Sequence, residues 1–240
     1  MLQEFLSHAD ARRALCAFRA LERHDLSRWA LAGGLAIEIH LLRLGARPSI
    51  RVLNDIDFVA ESFDSIPETL ADHFLFRHIH PLELPGKTMM QLVHVDSALR
   101  IDVFRAANGT IGRSAPLRVS DSTMHVVSLA DMAARAARLA LDLQEGVPVA
   151  SQHANDFLRM AKRVDAAEVE TAWQDHRKPL HSSAFEQASE LLHCLIPARR
   201  NLLMTPEYST NTAEQCARCI PTAAFRLADP KAVLSILGYC

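Results

Sequence analysis

The sequence predicts an α+β fold. A mixed β-sheet flanked by helices is expected over residues 1–115, including an N-terminal helix, and a mainly helical domain over residues 116–240. Three observations predict it. Short β-branched and aromatic runs alternate with helical stretches in the first part, and a meander of strand-like runs follows. After "NGTIGRSAPL" the chain turns to Ala-, Leu- and Arg-rich stretches of helical spacing, placing a domain boundary within residues 108–122. Hydrophobic residues make up 49% of the 240 residues and charged ones 22%, the balance of a globular protein with a sizeable core.

Each element has its own warrant. Leu15, Phe18 and Leu21 recur at about three-residue spacing, so residues 8–26 form an amphipathic helix. "RWALAGG" is a short strand ending at glycines, and "LAIEIHLLRLG" is a helix stopped by Gly45 and Pro48. "IDFVA" is a strand. "SIPETLADHFLF", residues 65–76, is expected to be a helix with Pro67 in its first turn. "RHIHP", "KTMMQLVHV" and "LRIDVFRA" are strand-like runs separated by Pro, Gly or Asp-Ser. Ser128 caps a helix that continues to Gly146, with Asp131 three residues on as a near capping box. Further helices are expected near 150–164, 165–176, 183–198 and 229–237.

Bulk chemistry narrows the function classes. A net charge of −2 supplies no overall basic field, so non-specific nucleic-acid binding is not implied. No run of about 18 apolar residues suggests a membrane span, and "MLQEFLSHADARRALC" lacks the apolar region of a secretory signal. The five cysteines have no framework spacing, which fits a reducing, cytoplasmic setting. "CARC", Cys216 to Cys219, is a single C-x-x-C without a second half and is expected to hold two free thiols. His78 and His80 share a strand face without a clear third ligand, and an exposed face is expected there. Trp29 and Trp173 are expected in the core or an interface, and the basic residues Arg135, Arg138, Arg159, Lys162 and Arg163 on solvated helix faces, with a nucleotide- or nucleic-acid-facing role as the alternative.

The chemistry concentrates in "DID". Residues two apart on a strand point the same way, so Asp55 and Asp57 project together while Ile56 and Phe58 bury on the other face. Two neighbouring carboxylates disfavour each other's ionisation, and a divalent cation such as Mg²⁺ removes that conflict. "LRIDVF" adds Asp102 on a later strand. If the strands are neighbours, three carboxylates converge, as a pair of metals about 3.5–4 Å apart would require for phosphoryl chemistry. Gly33 and Gly34, between a strand and a helix, let a phosphate approach backbone amides with no Cβ in the way.

Gly-Gly, then D-x-D, then a third Asp on a later strand resembles the nucleotidyltransferase superfamily that includes the β-type DNA polymerases. The likeness is greatest to bacterial abortive-infection-type nucleotidyltransferase toxins and aminoglycoside nucleotidyltransferases, and covers about residues 29–105. The resemblance implies a nucleotidyltransferase-type sheet domain and Mg²⁺-dependent transfer of a nucleoside monophosphate from an NTP to an acceptor hydroxyl, with pyrophosphate released. It implies that Asp55 and Asp57 bind both of two Mg²⁺ ions. It implies that Asp102 ligates one of them and helps activate the acceptor, and that Gly33 and Gly34 contact the nucleotide phosphates. Arg51, four residues before Asp55, would contact the triphosphate, although Leu53 replaces the usual Thr or Ser between them. In the second domain "SQHANDFLRMAKR" keeps Asp156 of the toxins' K-x-x-D helix, with Gln152 or His153 where Lys is expected. The acceptor implied by the toxin-like reading is tRNA or protein, leaving room for an antitoxin partner. The alternatives are a small aminoglycoside-type acceptor, or a non-catalytic nucleotide-binding or regulatory module on the same fold.

Overall fold

The computed structural model describes residues 1–62, 67–80, 89–177, 183–205 and 220–225. The first helix, α1 (His8–Leu21), is capped by Ser7, whose hydroxyl accepts from the Asp10 amide. It leads to β1 (Trp29–Leu31), α2 (Gly33–Arg43) and β2 (Asp55–Ala60). A meander follows, of β3 (Phe74–His80), β4 (Met89–His94) and β5 (Leu99–Arg105), then a hairpin of β6 (Ala115–Val119) and β7 (Ser122–Val126). The remaining helices are α3 (Leu129–Ala137), α4 (Leu139–Gln144), α5 (Ser151–Ala161), α6 (Ala166–His176) and α7 (Phe185–Ala198). Two short strands, β8 (Val149–Ala150) and β9 (Leu203–Met204), pair with each other, and β10 (Ile220–Phe225) joins the main sheet.

That sheet has eight strands in the order β10-β3-β4-β5-β2-β1-β7-β6. It is mixed: β2 runs parallel to β5 and β1 parallel to β7, while the other neighbours are antiparallel. The α+β class with a mixed sheet is therefore the observed one. Ile56 and Phe58 bury on one face of β2, where Phe18 and Leu21 of α1 line a common cavity with Trp29 and Phe58. The aspartates of β2 point to the other face, on which α2 begins. Trp29 and Trp173 are both in the core.

Three local differences from the sequence expectation have physical causes. The described part of the stretch expected to be a helix, residues 65–76, does not form one. Within the described part a 3₁₀ turn spans Glu68–Asp72, and the bulky run from Phe74 goes into β3, where Phe74 pairs with His94. The stretch from Ser128 to Gly146 is two helices, with a tight i→i+3 turn at Arg138, whose amide donates to the Arg135 carbonyl. The β6–β7 hairpin carries the sheet beyond residue 115 to Val126, so the boundary expected within 108–122 crosses a strand of the main sheet. The expected helix at 229–237 and the "CARC" segment lie outside the described residues, as do the side chains of His78 and His80.

Asp131 joins the two parts of the chain. It is fully buried on α3 and receives Thr110 Oγ1 at 3.1 Å, Arg113 Nη2 at 2.7 Å, Ser128 Oγ at 2.6 Å and His176 Nε2 at 3.0 Å. Burial alone would raise its pKa. The bonds from His176, Arg113 and Ser128 outweigh that and hold the carboxyl well below the usual carboxylate range. Among the described residues, no helix is long and apolar enough to cross a membrane.

Candidate active site

The parallel pairing of β2 with β5 sets Asp55 opposite Arg100 and Asp57 opposite Asp102. Register-paired residues share a face, so all four side chains emerge on the same side of the sheet. The register thus brings Asp55, Asp57 and Asp102 onto one face of two adjacent strands. Asp102 is also fixed from β4, where Gln91 Nε2 donates to its Oδ1 at 2.8 Å.

Gly33 stands against this group. The Ala32 amide donates to the Asp57 carbonyl at 2.8 Å, and the chain then turns into α2 with Gly33 at φ +63°. A Cβ at Gly33 would lie 2.7 Å from Asp57 Cγ, which no side chain accommodates. The second glycine meets a different partner, because a Cβ at Gly34 would fall 2.8 Å from Arg51 Nη1. The two glycines thus let the first turn of an 11-residue helix, with its unpaired amides and positive dipole end, pack between an aspartate and an arginine.

Arg51 is buried in a network that the sequence did not reveal. Its Nε donates to Glu38 Oε1 at 2.9 Å and its Nη2 to Asp156 Oδ1 at 2.5 Å. Arg159 of α5 donates to both Glu38 oxygens, at 2.5 and 2.9 Å, and the Ser49 amide adds a bond at 3.1 Å. Burial works against ionisation of Glu38, but the Arg159 hydrogen bonds and the Arg51 charge hold its pKa below the ordinary value. Arg51 Nη1, the atom facing Gly34, is buried without a hydrogen-bond partner among the described residues. Asp156, the acid of the K-x-x-D pattern, is therefore a partner of Arg51, while His153 on the same helix is exposed.

The charges around the carboxylates are unequal. Arg100 ion-pairs with Asp55 through Nη2, and its Nε stands 3.4 Å from Asp102 Oδ2. Among the described residues Asp57 has no such partner in contact, and its pKa is pushed up to about 7. Burial is the main cause, followed by the charges of Asp55 and Asp102; Arg135 and Arg100 offset part of it. Arg135 reaches this face from α3, its guanidinium 5.6 Å from the Phe104 ring centroid. Hard oxygen donors gathered in this way suit a divalent cation such as Mg²⁺, so the residues fit the group that the resemblance implies.

The six residues expected from the sequence, Asp55, Asp57, Asp102, Gly33, Gly34 and Arg51, lie along one path from β5 across β2 to the start of α2, whereas Glu38 and Arg100 were not among them. The signal for Glu38 was a single acid inside the apolar helix "GGLAIEIHLLR", and for Arg100 its place two residues before Asp102 on one strand face.

No family model matches the sequence, and no curated protein is significantly similar to it. Among solved structures, the chain is similar to the crystal structure of an antigenic nucleotidyltransferase-like protein from Paracoccidioides brasiliensis. That likeness has 14% sequence identity and a TM-score of 0.38, covering 82% of this chain and 92% of that one.

Proposed function

We propose that the chain is a nucleotidyltransferase that moves a nucleoside monophosphate from an NTP to an acceptor hydroxyl and releases pyrophosphate. The observation that carries this reading is the meeting of Asp57, paired with Asp102 across β2 and β5, with Gly33 at the start of α2. A set of hard donors and the amides of a helix start then share one spot.

Asp55, Asp57 and Asp102 would hold Mg²⁺, which when bound supplies charge neutralisation at the phosphates and activation of the attacking oxygen. The chain's own groups do the rest. The Gly33–Gly34 amides receive phosphate oxygens, and Nη1 of buried Arg51 faces the same turn as a further donor. Glu38 and Asp156 hold that guanidinium in place. Asp102 accepts the proton of the acceptor hydroxyl, and Arg135 adds positive charge beside Asp57. Most of the rate comes from positioning and preorganised charge.

For the acceptor, the toxin-like reading takes a tRNA or a protein. Arg47 and Arg163 are both exposed where α5 meets the end of α2, with Arg163 donating to the Leu44 carbonyl at 3.1 Å, while Arg159 beside them is neutralised by Glu38. A basic group of this kind favours RNA over a cationic drug. A second reading, a non-catalytic nucleotide-binding module, is favoured by Arg100, whose guanidinium spans Asp55 and Asp102 where a cation would sit.

The test is calorimetric titration with each NTP, with and without Mg²⁺, followed by label transfer from α-labelled NTP. Mg²⁺-dependent binding and transfer, both lost in Asp57→Asn with the circular dichroism spectrum unchanged, is the expected result. Binding without transfer to RNA, protein or aminoglycoside selects the second reading. No binding of any nucleotide overturns both.

A further inference from the structure

The second cluster of interest lies on the other face of the sheet. Residues 95–98 join β4 to β5 in a tight turn in which Ala98 adopts φ +50°. This turn docks on α1, where Arg13 Nε donates to the Ser97 carbonyl at 3.2 Å. The docking brings together Cys16 Sγ from α1, a ring nitrogen of His94 at the end of β4 and a carboxylate oxygen of Asp96. All three atoms lie within 4.8 Å of one another. His94 is buried on the same face of β4 as Leu92 and Met90, whereas Gln91, which touches Asp102, points the other way. The cluster is thus separate from the carboxylates described above. The register places His94 beside Leu99 and Gln91 beside Asp102, about 10 Å further along the strands.

We propose that Cys16, His94 and Asp96 form a binding site for a zinc-class divalent cation that clamps α1 to the β4–β5 turn.

The donor set is one thiolate, one imidazole and one carboxylate, a combination that suits Zn²⁺ and does not suit Mg²⁺. His94 is the fixed member, buried and only 2% exposed. Its Nδ1 lies 2.8 Å from Ser97 Oγ, leaving Nε2 to take the metal. The Ser97 amide donates to Nδ1 at 3.3 Å, so Nδ1 also serves as an acceptor within the turn. Metal binding at Nε2 moves the ring proton to Nδ1, which gives up the bond from the Ser97 amide and donates to the Ser97 hydroxyl instead, the usual support for a metal-bound imidazole. Cys16 and Asp96 are exposed and free to rotate. Tetrahedral zinc, with bonds of about 2.3 Å to sulfur and 2.0–2.1 Å to nitrogen, sets donors about 3.5 Å apart. The side chains therefore close by about 1 Å on binding, within the reach of surface rotamers. The Cys16 thiol loses its proton to solvent on binding, and a water completes the fourth position.

Co²⁺ is the probe, because a thiolate ligand gives it a sulfur-to-metal charge-transfer band that carboxylates cannot. The full-length protein, reduced and freed of metal, is titrated with Co²⁺ at pH 7.5 and then with Zn²⁺. The expected result is a charge-transfer band saturating at one equivalent and abolished by Zn²⁺. The band is lost in Cys16→Ser and weakened at least about tenfold in affinity in Asp96→Asn. It persists in Cys216→Ser/Cys219→Ser and in Asp57→Asn, which sets it apart from the other thiols and from the carboxylate site. Both substituted residues of the cluster are exposed, so the variants keep the fold, as circular dichroism will show. Absence of the band in the wild-type protein, or its survival in Cys16→Ser, overturns the proposal. Neither outcome bears on nucleotide binding, which is measured separately.

Discussion

At the scale of single residues, Asp57 is a group under electrostatic stress. Its pKa, 3.8 in the unfolded chain, rises to about 7 in the folded one. The folded state therefore keeps the proton to higher pH than the unfolded state. The stability this contributes is fully present below about pH 4 and is lost as pH rises through about 7. Asp57→Asn removes the titration. The metal-free variant is expected to match the wild type near pH 4 and to be more stable at pH 8, by on the order of 1–3 kcal/mol once contact with solvent is allowed for. Urea denaturation at the two pH values checks this, and equal stability at pH 8 would show that Asp57 ionises without cost. The positions of Asp57 and Asp102 were legible in sequence because alternation on a strand needs no knowledge of the partner. The role of Arg100 was not, because it depends on which strand lies beside β5.

At the scale of elements, the strand-to-helix turn at Gly33 has the sharpest consequence. Gly33→Ala places a Cβ 2.7 Å from Asp57 Cγ in a backbone conformation that already disfavours a side chain. A loss of about 2–4 kcal/mol is expected, together with loss of nucleotide binding. Gly45 has a similar φ, +70°, and a Cβ there would meet nothing within 4 Å among the described residues, so Gly45→Ala isolates the backbone cost alone, about 1 kcal/mol. Chemical denaturation of the two variants separates collision from strain, and equal losses would remove the steric argument. The same turn was readable from "LAGG", since glycines between a strand and a helix carry their own signal. The β6–β7 hairpin carried none. Its turn uses Ser120 at φ +59° and Asp121 in place of an Asn-Gly pair, and Pro116 within β6 argues against a strand.

At the scale of the whole molecule, the Glu38–Arg51–Asp156–Arg159 network links α2 and the segment before β2 to α5. Its charges are 105 residues apart in the case of Arg51 and Asp156, which is why no local pattern foretold it. Glu38→Ala leaves two guanidinium groups facing each other around a buried vacancy. A loss of about 3–5 kcal/mol is expected by urea denaturation, and a loss under about 1 kcal/mol would show that water replaces the carboxylate.

The parallel pairing of β2 with β5 also governs when the site comes into being. Asp57 and Asp102 sit 45 residues apart in the chain and meet only across that pairing. The excursion through β3 and β4 must close before they become neighbours, at the entropic cost of a long loop. No hairpin or local helix formed early can contain the site. Repulsion among the three acids therefore acts only once this pairing has formed, and a chain that has lost the pairing has lost the site with it, whatever helices survive.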